Sequence, residues 1–309
     1  MTNKNIVVLA LNPALDIGYE VPQLIADRKV AADKTYYHPG GNGINISRGL
    51  AELGMPLHCG SVLGGVSGDV VLLLLEDSLG KNHKVFTVAD ETRLNVTLLQ
   101  QNPPSQYEVD SKGPEIPAQL LDEITAWVLQ NSGSGYTVLS GSLPPGLPDD
   151  YYRRLAERIS EQGGRAVVDA HGPELAEALE ARPWMLRLNQ YVLEMSINRS
   201  MESIEDVAAA ARELQQRGIA NVCISLGGVV RSLWMPKAAT IAVHRECGCI
   251  QPWAVVIRWS PAWWLRPTGV RMHRPCCVSG LPAAVPPPAT RVPSCLPGRK
   301  SMTRTTNWN

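Results

Sequence analysis

Residues 5–11, NIVVLAL, form an unbroken apolar run rich in β-branched side chains and closed by Asn12-Pro13. Such a run predicts a strand buried on both faces. The period then changes. INISRGLAELG (44–54) spaces Ile44, Leu50 and Leu53 along one helical face and stops at Gly54. LHCGSVLGG reads as a strand and glycine turn, GDVVLLLLEDSLG (68–80) as a helix, and YTVLSGSLPPG (136–146) as a strand entering a Gly/Pro turn. DDYYRRLAERISEQGG has the acidic start and glycine stop of a helix. RAVVDA predicts a strand, SIEDVAAAARELQQRG an amphipathic helix, and NVCISLG a further strand.

Strands alternating with helices of this length predict an α/β fold with a mostly parallel sheet covered on both faces. Two stretches break the alternation. YEVPQLIADRKVAADKTYYH and ETRLNVTLLQQNPPSQYEVD are more polar and alternate with period two. They predict a small antiparallel sheet projecting from the main one. No internal repeat is present.

Charge changes the picture at one end. The 309 residues balance 29 bases against 29 acids. Residues 228–309, however, hold eleven Lys and Arg against one acid, Glu246. The same stretch carries six of the eight Trp, five of the seven Cys and eleven Pro. The Trp and Pro lie in no nucleic-acid-binding module, so no nucleic-acid partner is expected. CGC, His273 and CC lack any familiar zinc spacing. No apolar run reaches transmembrane length and no signal-peptide pattern opens the chain, so no membrane partner is expected. Cys59 and Cys223, isolated in residues 1–227, point to a reducing compartment, the cytoplasm.

The candidate chemistry centres on HPGGNGINIS (38–47), where Gly40, Gly41 and Gly43 precede a helix. Their amides can approach a hydroxylated or phosphorylated ligand, or the glycines can serve a tight turn. The run is neither a Walker A loop nor a dinucleotide fingerprint. Asp16 after the first strand suits sugar hydroxyls or a turn. Lys29 and Arg93, in the two polar segments, suit a phosphate or remain surface charges. Ser142 stands at a strand end as a ligand or a turn hydroxyl.

In order, LNPALD, HPGGNGINISRGLAELG, TRLN, LSGSLPPG, VVDAHG, LNQYVLEM and CISLG resemble the PfkB-type sugar kinases of the ribokinase-like superfamily, phosphofructokinase branch. The resemblance covers residues 5 to about 227. It implies a three-layer α/β/α fold with a small β lid, here about 17–38 and 91–112, through which such kinases often form homodimers. It implies transfer of the ATP γ-phosphoryl group, with Mg²⁺, to a hydroxyl of a sugar phosphate. Asp16, Gly40, Gly41 and Asn45 would hold sugar hydroxyls, with the glycines clearing room for the sugar. Lys29 and Arg93 would hold the substrate phosphate, with Ser142 nearby. Asn189, Ser225 and Gly227 would face the nucleotide. Fructose 6-phosphate is the favoured substrate. The alternatives are a 1-phosphofructokinase, a tagatose-6-phosphate kinase and a non-catalytic sugar-phosphate binder.

Two departures from the family pattern stand out. After a Lys-Pro pair the family carries Asn-x-x-Glu, whose glutamate helps organise Mg²⁺. Here Asn189 is kept, but Leu188 and Val192 stand at the proline and glutamate positions, and Glu194 lies two residues too far on. The family's later Gly-x-Gly-Asp, which supplies an anion hole and the general base, is absent after Gly227, so no catalytic residue can be assigned. Written as codons and regrouped from the third base, Trp253 to Trp264 permits Gly-Gly-Gly-Asp-Ser-Met-Val-Ala-Gly-Leu-Val, and the IQPW just upstream permits Ser/Thr-Thr-Val. The chain therefore reads as leaving the family's frame between Gly228 and about Thr240, with 228–309 an aberrant tail expected to be disordered or poorly packed.

Overall fold

The computed structural model describes residues 5–226 and two further strands, 231–235 and 240–243. All of these lie in one compact unit, Met1–Trp264. The expectation for the rest of the tail, and the candidate Gly227, lie outside the described residues.

The chain opens with β1 (Ile6–Ala10), β2 (Ala14–Val21), β3 (Lys34–Gly40), α1 (Asn42–Glu52), β4 (Leu57–Gly64) and α2 (Gly65–Leu79). It continues through β5 (His83–Val88), β6 (Arg93–Gln100), β7 (Ser105–Asp110), α3 (Ala118–Ser132) and β8 (Tyr136–Ser140). There follow α4 (Tyr151–Glu161), β9 (Arg165–Asp169), α5 (Gly172–Glu180), β10 (Met185–Asn189) and α6 (Gln190–Ile197). The last described elements are α7 (Ile204–Gln216), β11 (Asn221–Ser225), β12 (Arg231–Met235) and β13 (Thr240–Val243).

The main sheet runs β13-β12-β11-β10-β9-β8-β1-β4-β5. Every pairing from β5 to β11 is parallel, as the alternation of strands and helices requires. β12 and β13 extend this sheet antiparallel beyond β11, so strand pairing continues past residue 227.

Strand β1 shows why both faces are covered. Its five residues are all buried, with Ile6, Val8 and Ala10 facing one core and Leu9 the other. On the first side lie Ile44 and Leu50 of α1 with Val71 and Leu75 of α2. On the second lie Ile124 of α3, Tyr152 and Leu155 of α4, Leu175 of α5 and Leu214 of α7. Each such fully buried side chain contributes about 1.5–3 kcal/mol relative to exposure. Local signals agree at the helix ends. Ser203 and Asp206 form a reciprocal capping box at α7. The acidic start of α4 works differently, because Asp150 pairs with Arg153 and Arg154 at 3.1 and 3.0 Å instead of capping by side chain.

The two polar segments form a separate four-stranded sheet, β3-β2-β6-β7. It is mixed, not antiparallel as the alternation alone predicted, because β2 and β6 pair in parallel. Each leaves the same end of the main sheet, β2 after β1 and β6 after β5, so both must run outward in the same sense. The result is a lid standing over the carboxyl ends of the parallel strands.

Candidate active site

β1 sits between β4 and β8, so the chain leaves β1 at a point where its neighbours diverge. Crevices at such points receive ligands in open α/β sheets. A cavity of about 570 Å³ lies there. Its wall comes from Asn12 and Pro13 after β1, from Gly41 and Asn45 at the start of α1, and from Ser140, Gly141 and Ser142 after β8. His171, ahead of α5, and the inner face of the lid complete it.

A hydrogen-bonded path ties these parts together. Asn95 Nδ2 donates to Asp16 Oδ1 at 2.9 Å, and Arg93 Nη1 donates to Asn95 Oδ1 at 3.2 Å. Arg93 Nε donates to the Asn12 carbonyl at 3.2 Å, and Asn12 Nδ2 donates to Ser142 Oγ at 3.0 Å. The acid, the guanidinium and the strand-end hydroxyl are thereby fixed relative to one another before any ligand arrives. Burial raises the Asp16 pKa from 3.8 to about 6, against the opposing Asn95 hydrogen bond and the Arg93 charge. Arg93 is pulled below the usual arginine value by its own burial, with Asp110 and Asp16 resisting. Such a site offers acceptors for hydroxyls at one point and a bidentate cation for phosphate at another.

The structure thus brings together Asp16, Gly41, Asn45, Arg93 and Ser142. The glycines, however, do not clear room for a ligand. A Cβ on Gly40 would lie 2.1–2.3 Å from the Asp16 carboxylate atoms, and one on Gly43 would lie 2.7 Å from Ala10 Cβ. Gly41 takes φ 92° at the cap of α1. Protein atoms occupy the space the missing side chains leave, and Gly40 itself is not on the cavity wall. What the cluster achieves is close approach of β3 and α1 to the Asp16 strand and to β1.

Lys29 is not brought to this cavity. It is exposed on the connection between β2 and β3, and among the described residues it does not line the cavity. Asn189 and Ser225 do become direct neighbours, paired across the carboxyl ends of β10 and β11. The Asn189 side chain is committed to capping α6, accepting from the Val192 amide at 2.7 Å. Ser225 Oγ lies 3.3 Å from Arg187 Nη2.

The residues at the Asn-x-x-Glu position do not fit a Mg²⁺ site. Asn189 is spent on its cap, Val192 carries no donor atom, and Glu194 is turned to Gln190 Nε2 and the Met201 amide, each at 2.9 Å. Among the described residues no cluster of acids, His or Cys is arranged to hold a metal. Asp169 is equally unavailable as a substitute base. One of its oxygens pairs with Arg187 at 3.1 Å and the other accepts from Ser140 Oγ at 3.2 Å. Breaking that nearly buried pair would strand a charge at a cost of about 3–5 kcal/mol.

Sequence reasoning missed Asn12, Asn95, His38, His171, Glu108 and Asp110, all on the cavity wall. Asn12 and Asn95 lie inside LNPALD and TRLN, so their signal was in view. His38 and His171 likewise lie inside HPGGNGINIS and VVDAHG, whereas Glu108 and Asp110 emerge only once the lid strands are in register.

The family model for pfkB family carbohydrate kinases matches residues 3–229. The chain belongs to that family. Among relatives, the ATP-dependent 6-phosphofructokinase isozyme 2 of Escherichia coli is 32% identical over 226 residues, 72% of each chain. The 1-phosphofructokinase of Borreliella burgdorferi is 28% identical over 222 residues, 72% of this chain and 71% of its own. Phosphofructokinase-2 from Escherichia coli in complex with fructose-6-phosphate superposes with a TM-score of 0.69 at 28% identity, over 81% of this chain and 82% of that one. The tetrameric inhibited form of the same enzyme gives 0.72 at 27% identity, over 80% and 81%. This pfkB kinase is accordingly a phosphotransferase of the class acting on a sugar alcohol group, and its family implies ATP as the phosphate donor.

Proposed function

We propose that the lid-covered cavity binds fructose 6-phosphate for phosphorylation by ATP to the 1,6-bisphosphate, and that the transfer step is impaired in this chain. Asp16 and Asn45 accept and donate to the sugar hydroxyls, with the Gly41 amide beside them. Arg93 takes the phosphate already on the substrate, and Ser142 lies near it. Asn189, Ser225 and Gly227 mark the nucleotide side. The observation that carries this reading is the fixed path from Asp16 through Asn95, Arg93 and Asn12 to Ser142 around one cavity. The 6-phosphate is favoured because a relative at 32% identity is a 6-phosphofructokinase. The 1-phosphofructokinase relative at 28% supports fructose 1-phosphate as the second reading.

Thermal unfolding with each ligand separates them. Fructose 6-phosphate at 100 times its Kd should add about 2.7 kcal/mol of stability, with fructose 1-phosphate and tagatose 6-phosphate needing at least tenfold more ligand. Tighter binding of fructose 1-phosphate would move the chain to the other branch, and no response to any of them would remove the sugar-phosphate reading.

One further feature bears on the cellular setting. Cys59 and Cys223 are free thiols, pushed by burial to about 12 and about 11, which suits a reducing cytoplasm without disulfides. Among the described residues no helix is long and apolar enough to cross a membrane. The outer face of the lid exposes Tyr37, Tyr107 and Val109, an apolar surface suited to a homodimer through the lid. Sedimentation should give a dimer that Val109→Asp dissociates; a monomeric parent would refute the pairing.

A further inference from the structure

Strand register across the lid places two carboxylates on the cavity wall that the sugar-phosphate reading does not use. Asp16 faces Asn95 across β2 and β6, and Asn95 faces Asp110 across β6 and β7. Asp110 therefore shares a row with Asp16, two strands away, at about 10 Å. Thr97 faces Glu108 in the next row, so Glu108 projects to the same side, and both acids line the cavity. Among the described residues Arg93 is the sole Lys or Arg on that wall. A ligand phosphate entering beside Arg93 thus meets one guanidinium together with three carboxylates.

Resting on the sugar-phosphate reading, we propose that Glu108 and Asp110 are specificity-determining residues that set the ligand charge the cavity tolerates, opposing the anionic end that Arg93 attracts. Repulsion grows in proportion to ligand charge. A sugar carrying one phosphate is therefore disfavoured mildly and a bisphosphate strongly, so the lid biases the cavity toward the monophosphate and toward release of the doubly phosphorylated sugar. The charges of Glu108 and Asp110 also reach Asp16 and Arg93, where they favour the neutral form of Asp16 and, through Asp110, the charged form of Arg93, and so offset part of their own repulsion. After burial, the Asn95 hydrogen bond and Arg93, Asp110 and Glu108 are the remaining influences on the Asp16 proton. Asp110 is also the acid that most supports the charge on Arg93.

The test is equilibrium titration of the parent, E108Q, D110N and the double variant with fructose, fructose 6-phosphate, fructose 1,6-bisphosphate and inorganic phosphate. Both acids are on an exposed lid strand and both replacements keep the side-chain shape, so folding, checked by thermal melting, should be unaffected. The double variant should bind fructose 6-phosphate about tenfold tighter and the bisphosphate by a larger factor, with fructose unchanged. Raising salt should shrink both gains. Inorganic phosphate separates this inference from the reading beneath it. A gain for phosphate in a protein that binds no sugar phosphate would uphold the charge role and remove the sugar reading. Equal affinity of parent and double variant for every anion would overturn the inference, and so would an equal gain for uncharged fructose.

Discussion

A variant translated in the regrouped frame from about residue 240 onward should phosphorylate fructose 6-phosphate at least about 10⁴-fold faster than the chain as it stands. A positioned general base contributes about 10²–10⁴ and each lost anion-hole donor about 10²–10³, so losing both leaves only positioning. The expected split is informative. Among the described residues, the cavity proposed for the sugar is lined only by residues before Gly172, which the frame change leaves untouched. KM for the sugar phosphate should therefore stay within a few-fold while kcat rises. Steady-state kinetics of the two proteins checks this. Equal rates in the two would refute the assignment of the missing motif to residues 253–264.

Replacing Asp16 by Asn should stabilise the protein at neutral pH and weaken fructose 6-phosphate binding about 10- to 100-fold. The folded chain holds this carboxyl at about 6 against 3.8 when free, chiefly through burial. The folded state thus binds the proton more tightly, and this group's contribution to stability is complete below about pH 4 and is lost as pH rises through about 6. At pH 7 the ionised group costs about 2–3 kcal/mol, which the amide removes while its Oδ1 can still accept from Asn95. Binding moves oppositely, because hydrogen bonds from sugar hydroxyls to a charged acceptor are worth about 1.5–3 kcal/mol. Thermal melts of parent and Asp16→Asn at pH 4 and pH 7, with and without ligand, read both effects. A variant that is less stable at pH 7, or that binds normally, would contradict them.

Asp16 also shows where sequence reasoning stops. The LNPALD segment identified the residue, but its raised pKa depends on burial under a lid whose register no local pattern reveals. β1, α1, α4 and α7 are legible because their burial follows a simple period, as in the fully buried β1. β10 is not, since MLRLN places Arg187 within a central strand and its partner Asp169 comes from β9. α3 lacks a capping side chain at Pro117 and buries only Ile124, Val128 and Ser132, so its start merges with the polar segment before it. The glycine cluster was legible as a place of close approach, whereas the approaching atoms belong to Asp16 and Ala10. Glu108 and Asp110 read as ordinary alternation until β7 pairs with β6. In the tail the loss of the Gly-x-Gly-Asp motif was legible without any structure, because no such run of residues follows Gly227.

Retention of the sugar site alongside loss of the transfer step is tested most directly by calorimetric titration of fructose 6-phosphate into the protein with ATP and Mg²⁺ present. The expected trace is a saturating binding isotherm in which each injection returns to the starting baseline. A sustained heat of turnover after each injection, at the 1–100 s⁻¹ usual for kinases, would contradict it.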